Sequence, residues 1–546
     1  MSGASRQWDR LPCAKAPRRH GRRPRTEAAL RVGAAAQNLT TISTRLPAGG
    51  RIQVSMVRGS KNCILNRAKA LDPMSFLFHR LTRFGINCAS SCAILSRLLS
   101  TGALQRTSPQ TKSRCHMSIP KKVLVAGGGI VGINCAIELQ RRGCSVTLID
   151  PRSPGDGCSF GNAGNVVAGA VVPFSMPGNL LKIPSWVLSP YGPLSISLRH
   201  LPRLAPFLLR WLRASHPANV RHISKAMHAL HKETFNLYLP LLKELGEIDL
   251  ITKAGQVYVS RHPHGADGDT LSRALRAEAG VRVEALSGGQ VQDLVPALSA
   301  AYGSGILFLD NGFCANPHRL VQVLAHAFMA RGGTVLRAAM VAVERSPEGG
   351  GTAILESGAR QRYDALVIAA GAWSRRLAIM FGARVPLEAE RGYHVTLPQS
   401  GVHLNLPVTN CDLKISATSM EMGLRITGGA EFSGLEAKPR WHFAERMLKL
   451  GMMMFPGLER SGAKQWVGMR PSLPDGLPVL DRATGDRNVI FAFGNGHYGL
   501  TEAPMMARLV TALVMDEKPS IDLSPYSLSR FNHAQVFPAM HAFNEG

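Results

Sequence analysis

Six residues, Gly127-Gly128-Gly129-Ile130-Val131-Gly132, have the types and spacing that hold a pyrophosphate. In such a GxGxxG, Gly127 permits a tight turn and Gly129 lets the backbone approach phosphate oxygens. Gly132 lets a helix pack closely on a strand, and Ile130 and Val131 bring amides to the helix N-terminus, where anions are stabilised. The pattern carries weight only in context. Val123–Ala126 reads as a buried parallel strand, Ile133–Arg142 as a helix ended by Gly143, and Ser145–Ile149 as a second strand closed by Asp150. An acid there is placed to accept hydrogen bonds from an adenosine ribose. It would repel a 2′-phosphate, which disfavours NADP, but it does not separate NAD from FAD.

Three later segments favour a flavin. In Gly157-Cys158-Ser159-Phe160-Gly161-Asn162-Ala163-Gly164, small and polar residues suit a loop that folds over a pyrophosphate and nears a flavin ring. Ser159, Asn162, Ala163 and Gly164 are its candidate contacts; the plain alternative is a flexible loop. Ala365–Ala370 reads as a buried strand running through Gly371 and Trp373 into a helix start at Ser374. That suggests a strand returning to the nucleotide site, although any strand–helix joint could look alike. Val489–Phe493 reads as a strand, followed by Gly494-Asn495-Gly496-His497-Tyr498-Gly499-Leu500-Thr501 and a helix expected over 502–515. A second helix N-terminus there would stabilise the negative charge of a reduced flavin. Gly496, His497, Gly499, Leu500 and Thr501 are the expected contacts, with His497 either near the flavin or an ordinary hydrogen-bonding turn residue.

Other elements must position a substrate against this site. Gln256–Val259, Ile306–Leu309, Tyr393–Leu397, Leu413–Ala417 and Leu424–Thr427 suit a mixed sheet, with helical stretches 222–246 and 441–455 covering it. Tyr393 and His394 fall on opposite faces of their strand. Tyr393 could cap a substrate carboxylate through its hydroxyl, or serve ordinary strand packing. The expected class is α/β: a discontinuous Rossmann-type FAD-binding domain (117–215, 316–384, 465–522) plus a mixed-sheet α+β substrate domain (216–315, 385–464), with a tail over 523–546.

Residues 117 to about 522 resemble the FAD-dependent amino-acid oxidase and dehydrogenase superfamily, which includes D-amino-acid oxidase, glycine oxidase and sarcosine oxidase; they look most like bacterial D-amino-acid dehydrogenases. Ser159–Gly164, Gly494–Thr501, Gly428-Gly429-Ala430-Glu431-Phe432 and Gly468-Met469-Arg470-Pro471 carry the resemblance. Asn495 and Tyr498 depart from it. The resemblance implies FAD as cofactor and oxidative deamination of a small amino acid, expected to be a D-amino acid. Hydride would pass from Cα to flavin N5, and the imine would hydrolyse to a keto acid and ammonia. It also implies that Arg470 clamps the substrate carboxylate, a task for which a guanidinium's bidentate fork is suited. Glycine, sarcosine or hydroxyproline-type amines, or a 2-hydroxy acid, are the alternatives. The electron acceptor would be a quinone or oxygen.

The formal net charge is +28, but residues 1–116 hold 21 Lys+Arg against 3 Asp+Glu, while the rest holds 43 against 33. With the charge so placed, and no aromatic-basic interleaving, nucleic-acid binding is not expected. The first 116 residues show no sustained periodicity. They read as a disordered extension, either a targeting peptide or sequence upstream of a true start at Met117. The ten cysteines include no CxxC, and no metal site is expected. No apolar run reaches membrane-spanning length. Leu198–Leu212 mixes leucines, Trp211 and basic residues as an interfacial segment would, although Pro202 and Pro206 argue against one continuous helix. The expected setting is cytoplasmic, with peripheral contact to an inner membrane as the further option.

Overall fold

The computed structural model describes residues 120–531 except Pro190 and Glu348, together with three strands among the first 116 residues. The chain divides into two compact units, Met1–His116 and Met117–Gly546. In the first, Leu39–Arg45, Arg51–Val57 and Cys63–Asn66 pair as an antiparallel sheet, where no regular structure was expected. The β-branched Thr, Ile and Val residues of these segments favour such pairing. The Arg-rich patch over 18–25, Cys88, Cys92 and residues 532–546 lie outside the described residues.

In the second unit, a six-stranded sheet runs in the order Thr334–Arg337, Ser145–Asp150, Lys122–Ala126, Ala365–Ile368, Asp486–Phe493, Val479–Ala483. Only the last pair is antiparallel. Strands buried on both faces need continuous apolar runs, and Val123–Ala126 and Ala365–Ile368 supply them. Helix Ile130–Arg141 and helix Gly499–Val514 share one core on this sheet. Both begin three residues earlier than periodicity suggested, because the glycines before the apolar spacing are already helical.

The second sheet has nine strands. Near one edge, Glu388–Leu397 lies antiparallel to both Gly423–Phe432 and the edge strand Lys464–Ser472. Helix His442–Met454 covers one face, placing Phe443, Met447 and Leu450 on Tyr393, Val395 and Ile426. Two expected placements need correction. Strand Lys464–Ser472 belongs to this sheet, not to the nucleotide domain. Helices Pro217–His231 and Thr234–Glu244 pack their apolar faces, including Leu230 and Tyr238, into the nucleotide-side core and do not cover the substrate sheet. Their periodicity specified an apolar stripe, but not which sheet would bury it.

Candidate active site

The Gly127–Gly132 turn is built almost wholly from backbone. Gly127 has φ +122° and its amide donates to the Ile149 carbonyl at 2.8 Å. A Cβ there would strike the Ala369 carbonyl, and a Cβ on Gly132 would strike the Gly127 carbonyl. These two glycines therefore answer to close packing. Gly129 differs: a Cβ there meets only Ser159 Oγ, at 3.7 Å, so its face is open. The Ile130 amide is capped by Ser159 Oγ at 3.0 Å. Among the described residues, the amides of Val131 and Gly132 have no acceptor, while the Ile130 and Val131 side chains go into the core. Asp150 holds the turn in place, its Oδ2 accepting from the Gly128 amide at 2.8 Å and its Oδ1 from the Arg152 amide at 2.9 Å. Each oxygen keeps a lone pair for a ribose hydroxyl.

The Ser159–Gly164 loop is fastened mainly to protein. Asn162 Oδ1 accepts from the Gly164 amide at 2.8 Å, and the Gly164 carbonyl accepts from the Cys314 amide at 2.7 Å. A Cβ on Gly164 would meet the Cys314 carbonyl at 2.8 Å. Asn162 and Gly164, expected as cofactor contacts, thus spend these groups on the loop's own shape. Ala163 lies half-buried between them. The buried guanidinium of Arg425 ties the loop to the second sheet, donating to the Phe160 and Asn162 carbonyls at 3.1 and 2.7 Å and to Thr396 at 3.2 Å. Burial lowers its pKa to about 10. Gly371 and Trp373 lie at the end of the Ala365–Ile368 strand, where the Arg152 guanidinium sits 4.5 Å over the Trp373 ring. Gly371 has nothing within 4 Å of a Cβ position.

The flavin-side turn ends in helix Gly499–Val514, which has no side-chain cap. Among the described residues, the Gly499, Leu500 and Thr501 amides lack an acceptor. Their side chains do not share that exposure: Leu500 is core, and buried Thr501 accepts from the Val167 amide at 3.1 Å. Asn495, which departs from the superfamily pattern, anchors the turn by donating to Glu502 at 2.7 Å; the other Glu502 oxygen meets buried His231 at 3.0 Å. Gly496 donates to the Pro471 carbonyl at 2.9 Å and faces open space, its nearest Cβ neighbour being Ser472 Oγ at 3.7 Å. Two helix N-termini with free amides, and open glycine faces at 129, 371 and 496, form a cradle that fits an extended dinucleotide with its ring at the 494–499 turn.

Beside that turn lies a cluster that spacing alone did not join. Arg470 and Glu390 are direct cross-strand partners, and Arg470 Nη1 donates to Glu390 Oε1 at 3.0 Å and to the Gly429 carbonyl at 2.8 Å. His497 Nε2 meets the same Glu390 oxygen at 2.8 Å, and Ser472 Oγ donates to Oε2 at 2.7 Å. Burial alone would raise the Glu390 pKa, but His497, Arg470 and Ser472 more than reverse this, to about 2. The Arg470 guanidinium lies across Gly392, where any Cβ would collide with it. Arg470 and His497 keep 19% and 32% of their side-chain surface accessible, against 9% for Glu390. Arg470 and His497 form the mouth and Glu390 the floor.

Tyr393 is not part of this cluster. The Glu388–Leu397 register with Lys464–Ser472 is regular, so Glu390, Gly392 and His394 share one face and Tyr393 takes the other. Its hydroxyl donates to Glu431 at 2.6 Å and accepts from the Arg440 amide at 3.0 Å, and its ring packs on Phe443. The expected carboxylate cap is therefore a strand-packing residue. His394 is the one that points towards the nucleotide side, its Nδ1 at 3.1 Å from the Gly161 carbonyl and its ring stacked on Trp466.

Glu390, Gly392, Ser472, Arg152 and Arg425 were missed in the sequence. A glycine inside an otherwise continuous strand was a usable signal of close approach at 392. Glu390 gave none, since its partners are 80 and 107 positions away.

A family model described as FAD dependent oxidoreductase matches residues 122–513. A D-amino-acid oxidase of Bradyrhizobium diazoefficiens is 35% identical over 418 residues, covering 75% of this chain and 99% of that protein. A D-amino acid dehydrogenase of the same organism is 28% identical, covering 76% and 99%. Among solved structures, glycine oxidase from Geobacillus kaustophilus superposes with a TM-score of 0.57 at 21% identity, covering 75% of this chain and 99% of that one. L-proline dehydrogenase from P. horikoshii gives 0.57 at 18% identity, covering 76% and 98%. The last two comparisons concern the fold alone. With its cofactor cradle and family match in agreement, the chain belongs to the FAD-dependent oxidoreductase family and uses FAD.

Proposed function

We propose that the protein oxidatively deaminates a small amino acid, a D-amino acid first among candidates. The observation that carries this reading is Arg470, laid across Gly392 with accessible donors beside the flavin-side turn. FAD, when bound, supplies the hydride acceptor. The chain supplies orientation: Arg470 offers a planar fork to a carboxylate, and its Glu390 and Gly429 contacts fix the plane of that fork. Fixing the carboxylate beside the flavin-side turn converts a collision into a fixed approach, which is where such sites gain rate. The relatives named D-amino-acid oxidase and D-amino acid dehydrogenase support the substrate class. The test is anaerobic mixing with D- and L-amino acids, glycine, sarcosine, hydroxyproline isomers and 2-hydroxy acids while following the flavin band. Bleaching by a D-amino acid is the expected result; bleaching by hydroxy acids alone would overturn it.

For the electron acceptor we propose a quinone reached by peripheral membrane contact. Residues 157–232 contain eight Lys+Arg and no Asp or Glu. Exposed Leu181, Leu188, Leu198 and Leu209 lie in the same stretch. Helix Leu201–Ala214 is continuous despite the expected break: Pro202 sits in the first turn, where its missing N–H costs nothing, and only Pro206 interrupts the bonding. Apolar side chains among cations suit an anionic lipid surface. No helix among the described residues is long and apolar enough to cross a membrane. Co-sedimentation with anionic vesicles, abolished in Leu188→Asp/Leu209→Asp, is the expected outcome; equal binding by that variant would sink the idea.

A further inference from the structure

The chemistry of Arg470 is altered by what lies beneath it. A guanidinium that stood alone would bind any carboxylate of suitable shape. Here Glu390 already shares Arg470, at 3.0 Å through Nη1. Glu390 is buried, held by Ser472 on its other oxygen and by His497 on the shared one, and positioned by the strand register, so it cannot swing away to yield to an incoming anion. A substrate carboxylate that joins Arg470 therefore brings a second negative charge to one guanidinium. In a partly buried site that repulsion is substantial, because little water intervenes to screen it. An amino acid compensates it within its own structure, since its ammonium is one carbon removed from its carboxylate. A 2-hydroxy acid or simple carboxylate has no such charge. Glu390 is ionised across the whole physiological range, so the discrimination is permanent.

We propose that Glu390 is a specificity-determining residue, selecting zwitterionic substrates over plain carboxylates of the same shape by sharing the Arg470 guanidinium. The inference rests on Arg470 being the carboxylate clamp of the proposed function. It concerns binding, before any proton leaves the amine. It also makes sense of an otherwise costly arrangement: a buried carboxylate next to a clamp weakens the clamp for anions in general, and is useful only where the wanted ligand carries its own cation.

The test uses holoenzyme and shape-matched ligands: D-alanine, D-lactate and propionate. Affinity for the amino acid comes from the concentration dependence of anaerobic flavin bleaching, and affinity for the other two from competition and from displacement of the visible flavin band. Wild type should bind the zwitterion about tenfold to a hundredfold more tightly than the plain carboxylates. Glu390→Gln should tighten propionate and lactate and collapse that ratio towards one, whereas Glu390→Asp, which keeps the charge, should preserve it. An unchanged ratio in Glu390→Gln would overturn the proposal. So would a wild-type protein that binds propionate as tightly as D-alanine, a result that needs no variant to fold. Failure of the functional reading is a separate outcome: no amino acid would bleach the wild-type flavin, and Arg470→Ala would leave propionate binding untouched.

Discussion

The pyrophosphate turn and the Arg470 cluster are two ways of building a site. The turn over Gly127–Gly132 is contiguous, made of amides and absent side chains, and rests on the strand and helix on either side of it. The cluster is discontiguous: Glu390, Arg470, Ser472 and His497 meet only because two antiparallel strands lie in register and a turn arrives from the other sheet. Contiguous backbone sites tolerate almost no added volume. Side-chain sites tolerate volume better but depend on charge balance, because a buried ionised group left without its partner is costly. The two should fail differently when mutated.

The largest effect should come from Gly132→Ala, whose methyl would fall inside the Gly127 carbonyl. A loss of about 3 kcal/mol or more is expected, read as poor soluble yield and a lower melting temperature. If that variant melted like wild type, the volume-limited view of the turn would fail. Next comes Arg470→Ala, expected to lower kcat/KM about a hundredfold or more with FAD content unchanged. Loss of flavin instead would move Arg470 from the substrate side to the cofactor side of the comparison.

Different in kind, and modest within any one pH unit, is an acid-dependent term at His394. Burial, then the nearby Arg425 charge, lowers its pKa from 6.5 to about 3. The unfolded chain takes a proton near the upper value, while the folded chain refuses it until the lower. Stability from this residue is thus full above the upper value and lost as pH falls through that window, at up to about 1.4 kcal/mol per pH unit. His394→Gln should flatten melting temperature against pH there; an unchanged slope would remove His394 as its source. Smallest in stability is Gly129→Ala, whose methyl meets only Ser159 Oγ. The apoprotein should melt within about 1 °C of wild type while binding FAD more weakly, and a large drop in apoprotein stability would erase the distinction drawn between Gly129 and Gly132.

The sequence by itself determined the nucleotide half and its cofactor. A strand, a GxGxxG, a helix and an acid-ended strand are contiguous, and backbone geometry over six residues is a local property. It also marked Arg470 and His497 through their motifs, though not that a single carboxylate would hold both. Tertiary structure alone decided that Tyr393 faces helix His442–Met454 and that helices Pro217–His231 and Thr234–Glu244 serve the nucleotide core. It alone placed Glu390 under Arg470. Alternation assigns two faces to a strand but does not say what each face meets, and periodicity assigns a stripe to a helix but not a partner. Those assignments follow from register and from packing between segments far apart along the chain, 80 positions for Glu390 and Arg470, which no local window contains.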